Sequence, residues 1–185
     1  WSRKALVAVA EAGAFGSLCI DRREALWRVH GVASRLGLPL DADPEETDVT
    51  LPGVTPGEAV VWDYAASGHS TRGHPMERYR DTLDREGLPA AEHVAQMRDG
   101  ARVRYVGMVI CRQRPGTASG VTFFTLEDET GFVNLVVWKP VFEAHSVIAR
   151  TEPLLEVCGR IQRADGVVHV VVETLAVPHV VGRPG

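Results

Sequence analysis

Long hydrophobic runs are missing from this 185-residue chain: stretches such as Val167 to Val172, itself broken by His169, fall far short of the roughly 20 apolar residues a membrane helix needs. No membrane span is expected. Cysteine is scarce and odd in number, with Cys19, Cys111 and Cys158 widely spaced and no C-x-x-C pair. That pattern speaks against a disulfide framework or a zinc ribbon and for the reduced thiols of a cytoplasmic protein. There is no initiator Met, basic leader or cleavage site, and Trp1 opens what reads as a helix already under way, so a fragment of a longer protein is expected. Catalytic signatures are absent too. The sequence has no G-x-x-x-x-G-K phosphate loop, no G-x-S-x-G elbow and no H-E-x-x-H.

Charge is present but unevenly placed. The formal balance is -4, yet seven acids and no Lys or Arg lie between Asp41 and Asp63. From Arg98 to Arg114, five arginines face the single Asp99, and a polyanion is expected to dock there. The acidic run shares its segment with Pro39, Pro44, Pro52 and Pro56, the composition of a solvated connector.

Periodicity divides the chain further. Leu6, Val9 and Ala10 recur at helical spacing until Gly13. Asp21 with Glu24 three residues on forms a capping-box pattern, and Ala25, Leu26, Val29, Val32, Ala33 and Leu36 continue a second helix to Gly37 and Pro39. Shorter helices are expected over Pro56–Ala66, from Pro75 to Gly87 through Met76, Tyr79 and Leu83, and over Pro89–Met97. From Ala101 the period changes to two.

Val103, Tyr105 and Val109 alternate with arginines, and Gly107 suggests a bulge that bends one long strand. Val121–Glu127 and Phe132–Trp138 read as a hairpin about Asp128-Glu129-Thr130-Gly131. Pro140–Arg150 reads as a helix, and Leu154–Arg163 and Val167–Val177 as a second hairpin. Three strands, a helix and two strands is the order of an OB-fold barrel. The fold class is therefore α+β: an N-terminal helical segment and then a five-stranded OB barrel. The divisions are 1–38 helical, 39–97 acidic connector with short helices, and 98–178 barrel.

In such a barrel strands two and three offer a groove where bases stack on aromatic rings, while the first strand and the loop after it supply cations. Alternation sends Phe124, Leu126, Val133, Leu135 and Val137 inward, and Phe123, Thr125, Asn134 and Val136 outward. Phe123 is the stacking candidate, or else a packing residue against the preceding helices. Thr125, Asn134 and Trp138 complete that face. Arg102, Arg104, Arg112 and Arg114 are the phosphate candidates, or else a solvated strand face paired with Glu127, Asp128 and Glu129. His69 and His74 stand five apart without cysteines, which suits turn and cap roles better than a zinc site. Glu127, Asp128 and Glu129 sit on a turn, where carboxylates diverge rather than converge on metal ions. No catalytic, metal or cofactor site is assigned.

Several strings carry a family resemblance. Glu11-Ala-Gly-Ala-Phe-Gly-Ser-Leu18, Asp21-Arg-Arg-Glu-Ala-Leu-Trp27, Gly68 to Pro75, Arg112-Gln-Arg-Pro-Gly-Thr-Ala-Ser-Gly120 and Phe124-Thr-Leu-Glu-Asp-Glu-Thr-Gly131 resemble the C-terminal third of bacterial C-family DNA polymerases. Arg114-Pro-Gly-Thr-Ala118 and Val133-Asn-Leu-Val-Val-Trp138 resemble the error-prone branch. The resemblance implies a DNA-directed DNA polymerase of translesion synthesis whose catalytic residues and magnesium ions lie outside this chain. It implies single-stranded template DNA as a ligand, and mutasome partners: an inactive Y-family-like polymerase and an accessory protein. Residues 1–38 would end a helix-hairpin-helix region, although Gly13-Ala-Phe-Gly16 departs from the usual hairpin pattern. No Gln-rich clamp-binding peptide stands between Pro39 and Pro56, so sliding-clamp contact would be indirect. Two rival readings remain: a tRNA anticodon-binding barrel, whose second strand has a similar Phe-x-x-Leu-x-Asp pattern, and a barrel that tethers protein partners without touching DNA.

Overall fold

The computed structural model describes residues 2–18, 21–35, 51–116, 120–164 and 166–179, with the backbone alone for 32–35. The helix stop at residues 36–39, the acidic run at 41–48, Cys19 and residues 117–119 of the expected cationic loop lie outside the described residues. The chain forms two compact units, Trp1–Pro75 and Met76–Gly185.

Among its described residues the first unit holds three α-helices. Helix α1 (Arg3–Glu11) starts where the Ser2 hydroxyl accepts from the Ala5 amide, and α2 (Arg22–Arg35) starts where the Asp21 carboxylate accepts from the Arg23 amide. A short 3₁₀ turn, Ala14–Leu18, lies between them. Helix α3 (Pro56–Ser67) carries a full capping box, with Thr55 and Glu58 bonding reciprocally and Pro56 in the first turn. Ala10, Ala25 and Val29 form the small core with Leu6, Val7, Phe15 and Leu26 packed against it; the helical spacing predicts all of these except Val7 and Phe15, and Val7 takes the place expected of Val9.

The second unit opens with a 3₁₀ turn (Glu77–Tyr79), α4 (Arg80–Arg85) and α5 (Ala91–Gln96). These elements serve the barrel. Ala91 and Val94 belong to the barrel core, while Met76, Leu83 and Leu88 enclose Val106 on its outside. Strands β1 (Arg102–Gln113), β2 (Thr122–Asp128), β3 (Gly131–Val137), β4 (Leu154–Ala164) and β5 (Val167–Ala176) close in the order β1-β2-β3-β5-β4. β3 and β5 pair in parallel, and every other pair is antiparallel.

Long β1 serves two neighbours: residues 102–108 pair with β4 and 108–113 with β2. Its bulge falls between Val109 and Cys111, not at the expected Gly107, which stays in register opposite Leu155. Gly107 has a different reason to be glycine. A Cβ there would stand 2.8 Å from Cε1 and Oη of Tyr105, so the missing side chain makes room for the buried phenol. A second irregularity between Cys158 and Gly159 leaves Glu173 of β5 without an opposite residue and re-aims its carboxylate. The expected single helix after β3 is two, α6 (Lys139–Ala144) and α7 (Ser146–Thr151), with a kink at His145. Phe142 of α6 meets Phe124 edge-on at 6.4 Å and, with buried Ala149 of α7, closes one end of the barrel.

Candidate nucleic-acid interface

Pairing and pleat together define the outer face of β2 and β3. Directly opposed residues of a sheet share a side, so Phe123 with Val136 and Thr125 with Asn134 point outward, while Phe124 with Leu135 and Leu126 with Val133 fill the core. Phe132 and Trp138 extend the outward row along the β3 direction at 132, 134, 136 and 138. The exposures are unusual for aromatic rings: 61% for Phe132, 51% for Trp138 and 37% for Phe123. Six residues of strand at ~3.3 Å each place Phe132 and Trp138 about 20 Å apart. The parallel pairing with β5 adds His169 beside Asn134 and Val171 beside Val136.

The cations divide into groups. Arg102 and Arg104 lie on the β4-paired half of β1. Arg102 reaches Glu173 at 2.9 Å, Arg160 reaches the same carboxylate at 3.1 Å, and Arg104 pairs with Glu156 at 2.6 Å. The Arg102 hydrogen bond in particular holds Glu173 below the usual carboxylate range. Arg112 is structural: its Nε donates to the Ala149 carbonyl at 2.8 Å and its Nη2 to the Glu152 carbonyl, holding the end of α7. Burial pulls its pKa down. Arg114 and Arg150 both lie over the Phe142 ring, at 6.0 and 5.5 Å. Among the described residues neither has a carboxylate at ion-pair distance.

The expected single arginine stripe is therefore not formed. β1 bends between two neighbours, so Arg102 and Arg104 leave the β2 side, and their acidic partners are Glu173 and Glu156, not the β2–β3 turn. Phe123, Thr125 and Asn134 are brought together, Trp138 stands at one end of their row, and Arg114 lies at that same end beside Phe142. Phe132, Arg150 and His169 escaped the sequence reading. Phe132 was in phase with Asn134 and could have been found by the same alternation, whereas Arg150 and His169 depend on helix docking and on the β3–β5 register.

The acids of the β2–β3 turn are not presented to a ligand. Asp128 is fully buried and accepts from the Ala91 amide at 2.8 Å, the Thr130 amide at 2.8 Å, the Thr130 hydroxyl at 2.7 Å and Arg80 at 3.1 Å. Arg80 also bonds Glu129. Burial opposes the Arg80 charge, but Glu129 and Asp128 outweigh it and raise its pKa. Burial first, and then the Asp128 charge, push the Tyr105 phenol far above its ordinary range, so it stays protonated.

In the first unit a cavity of about 190 Å³ is lined by Gly13, Phe15, Asp21, Arg22 and Arg72, among others. Its charges are spoken for: Arg22 and Arg72 both pair with Asp63, at 2.6 and 3.4 Å. His69 bonds the Ser67 carbonyl at 3.1 Å, and His74 meets Tyr64 edge-on. Among the described residues, no group of three or more His, Cys, Asp or Glu could hold a metal ion, and no helix is long and apolar enough to cross a membrane.

Comparison with known proteins bears on this geometry. Residues 103–177 match the tRNA_anti-codon family, an OB-fold nucleic acid binding domain. An error-prone DNA polymerase of Caulobacter vibrioides is 45% identical over 177 residues, covering 92% of this chain and 16% of its own length. An error-prone DNA polymerase of Anaeromyxobacter sp. (strain K) is 43% identical over 176 residues, covering 95% of this chain and 16% of its own. The chain thus spans about 16% of these curated relatives. Among solved structures, asparaginyl-tRNA synthetase of Pyrococcus horikoshii, complexed with asparaginyl-adenylate, is 30% identical with a TM-score of 0.41 over 49% of this chain and 22% of its own.

Proposed function

This chain is a relative of the error-prone DNA polymerases along nearly its whole length, and we propose that it serves such an enzyme as a C-terminal region that holds single-stranded template DNA. The outer face of β2 and β3 is the binding surface. Phe132, Phe123 and Trp138 stack on bases, Thr125 and Asn134 lie between two of those rings, and Arg114 and Arg150 take phosphates at the Trp138 end. The observation that carries the reading is this row of exposed rings ending at two guanidinium groups with no acid partner among the described residues.

Nucleotidyl transfer itself, with its magnesium ions, belongs in this proposal to parts of the polymerase outside this chain. Translesion synthesis in the cytoplasm, beside an inactive Y-family-like polymerase and an accessory protein of a mutasome, is the setting. Any sliding-clamp contact runs through those partners.

The test is a titration of fluorescein-labelled oligo-dT with the 185-residue chain, followed by anisotropy. Saturable binding that weakens steeply with salt and is competed by unlabelled single strands is expected. Stronger competition by tRNA would replace this reading with an anticodon-binding one. A folded chain that binds no nucleic acid would replace it with a protein-docking barrel.

A further inference from the structure

The β2–β3 turn and helix α5 complete each other. Ala90, which precedes α5, has no side chain that can accept a hydrogen bond, so the first amides of that helix need acceptors from elsewhere. The turn supplies them. Asp128 accepts from the Ala91 amide at 2.8 Å, and the Thr130 hydroxyl oxygen accepts from the Glu92 amide at 3.1 Å. Asp128 also takes the Thr130 amide at 2.8 Å and the Thr130 hydroxyl at 2.7 Å. Arg80, at the start of α4, bonds Asp128 at 3.1 Å and Glu129 as well. Two helices that precede the barrel thus hold Asp128, Glu129 and Thr130 of one turn.

Gly131 alone separates Thr130 from Phe132, the first ring of the outward row. That ring is 61% exposed, so its own packing does little to fix it. The backbone beneath it is fixed instead, by pairing with Glu127 and by the bonded turn. A ring on a loose hairpin end would have to be ordered each time a base stacked on it, and that cost would come out of the affinity. A ring already held in place avoids the cost.

Resting on the single-strand reading above, we propose that Arg80 and Thr130, acting through Asp128, are positioning residues for the Phe132 platform. Neither touches the strand. Residues 76–97 are then a working part of the binding face as well as a cover for the barrel, because the hold on a base at Phe132 depends on helices outside the five strands. Trp138, about 20 Å away by strand rise, lies beyond the reach of this turn.

Two variants test this without altering any charge. Thr130→Val removes the hydroxyl, and Arg80→Lys keeps the cation but gives up the fork that reaches both Asp128 and Glu129. Each is placed in the wild-type chain, in Phe132→Ala and in Trp138→Ala, and oligo-dT affinity is read by anisotropy. Thermal melts show which chains are folded at the assay temperature, and Thr130 is exposed, so Thr130→Val carries the test should Arg80→Lys unfold. A roughly 3- to 10-fold loss is expected in the wild-type and Trp138→Ala backgrounds, and less than about 2-fold in Phe132→Ala, since an absent ring cannot be misplaced. An equal loss in all three backgrounds, or no loss in any, overturns the positioning role and leaves the single-strand reading in place. Failure of the wild-type chain to bind oligo-dT overturns both.

Discussion

Phe132→Ala separates a binding role from a packing role more cleanly than any other change to this protein. The ring is 61% exposed at the first outward position of β3, opposite Glu127. Removing it opens no cavity, and the stability cost is bounded by the strand-propensity range of about 1 kcal/mol. A base stacked on the ring contributes about 1–3 kcal/mol, so affinity for oligo-dT should fall roughly 5- to 150-fold. Anisotropy titration reads the affinity, and a urea melt of the same preparation reads the stability. The neighbouring Phe124 makes the contrast, because it is 1% exposed and packs on Phe142. Phe124→Ala should cost about 3–5 kcal/mol of stability. A Phe132→Ala protein that melts normally and binds oligo-dT within about 2-fold of wild type would refute the stacking face.

Replacing Arg114 and Arg150 together by Ala should flatten the log–log salt dependence of oligo-dT binding by about 1.4, two phosphate contacts at ~0.7 each. Arg102→Ala, whose charge is already matched by Glu173, should leave that slope nearly unchanged, and an equal effect of both changes would erase the distinction drawn between the two groups. Gly107→Ala would place a Cβ 2.8 Å from the Tyr105 ring and 3.1 Å from Leu126 Cβ; a loss of about 1–3 kcal/mol in thermal unfolding is expected, and a neutral result would mean the ring can move aside. Burial works against the Asp63 charge, but the Arg22 and Ser70 hydrogen bonds outweigh it and hold the carboxyl below its ordinary value. Its contribution to the first unit is therefore full above the unfolded carboxylate pKa of about 3.9 and lost as pH falls through the lower folded value. Circular-dichroism melts below about pH 4 should show that loss, and Asp63→Asn should remove this component of the acid sensitivity.

The barrel was legible because its period changes at Ala101 and its turns carry Gly and Asp where hairpins need them. Strand ends agree with the sequence expectation to within a residue or so. What escaped were features that depend on two segments at once. Gly107 looked like a bulge because glycine in a strand often marks one, but the cause is the Tyr105 ring two residues back, and the extra residue falls in a run of ordinary side chains at Ile110. The kink at His145 has no proline or glycine to announce it. The arginines of β1 looked like one stripe because alternation counts residues along a single strand, and it cannot show that the strand changes partner at Met108. Residues 76–97 read from the sequence as short helices before the barrel, yet Ala91 and Val94 are core residues of the barrel, and the Ala91 amide finds its acceptor in Asp128, 37 positions away.

A chain of net charge -4 has to solve a local problem before it can hold a polyanion. It does so by consuming acids near the binding face. Arg80 takes up Asp128 and Glu129, Arg104 takes up Glu156, and Arg102 and Arg160 share Glu173, which leaves that last cluster with one positive charge in excess. A charge beyond the Debye length of about 10 Å is largely screened at ordinary salt, so these pairs matter more to a bound strand than the whole-chain balance does. Seen this way, Arg104 contributes without touching a bound strand, since removing it leaves Glu156 without its cation, whereas Glu173 keeps Arg160 when Arg102 is removed. The attraction that remains comes from few cations, and the rings must supply most of the affinity. On the proposed reading such a surface holds a single strand with moderate affinity, through stacking more than through charge.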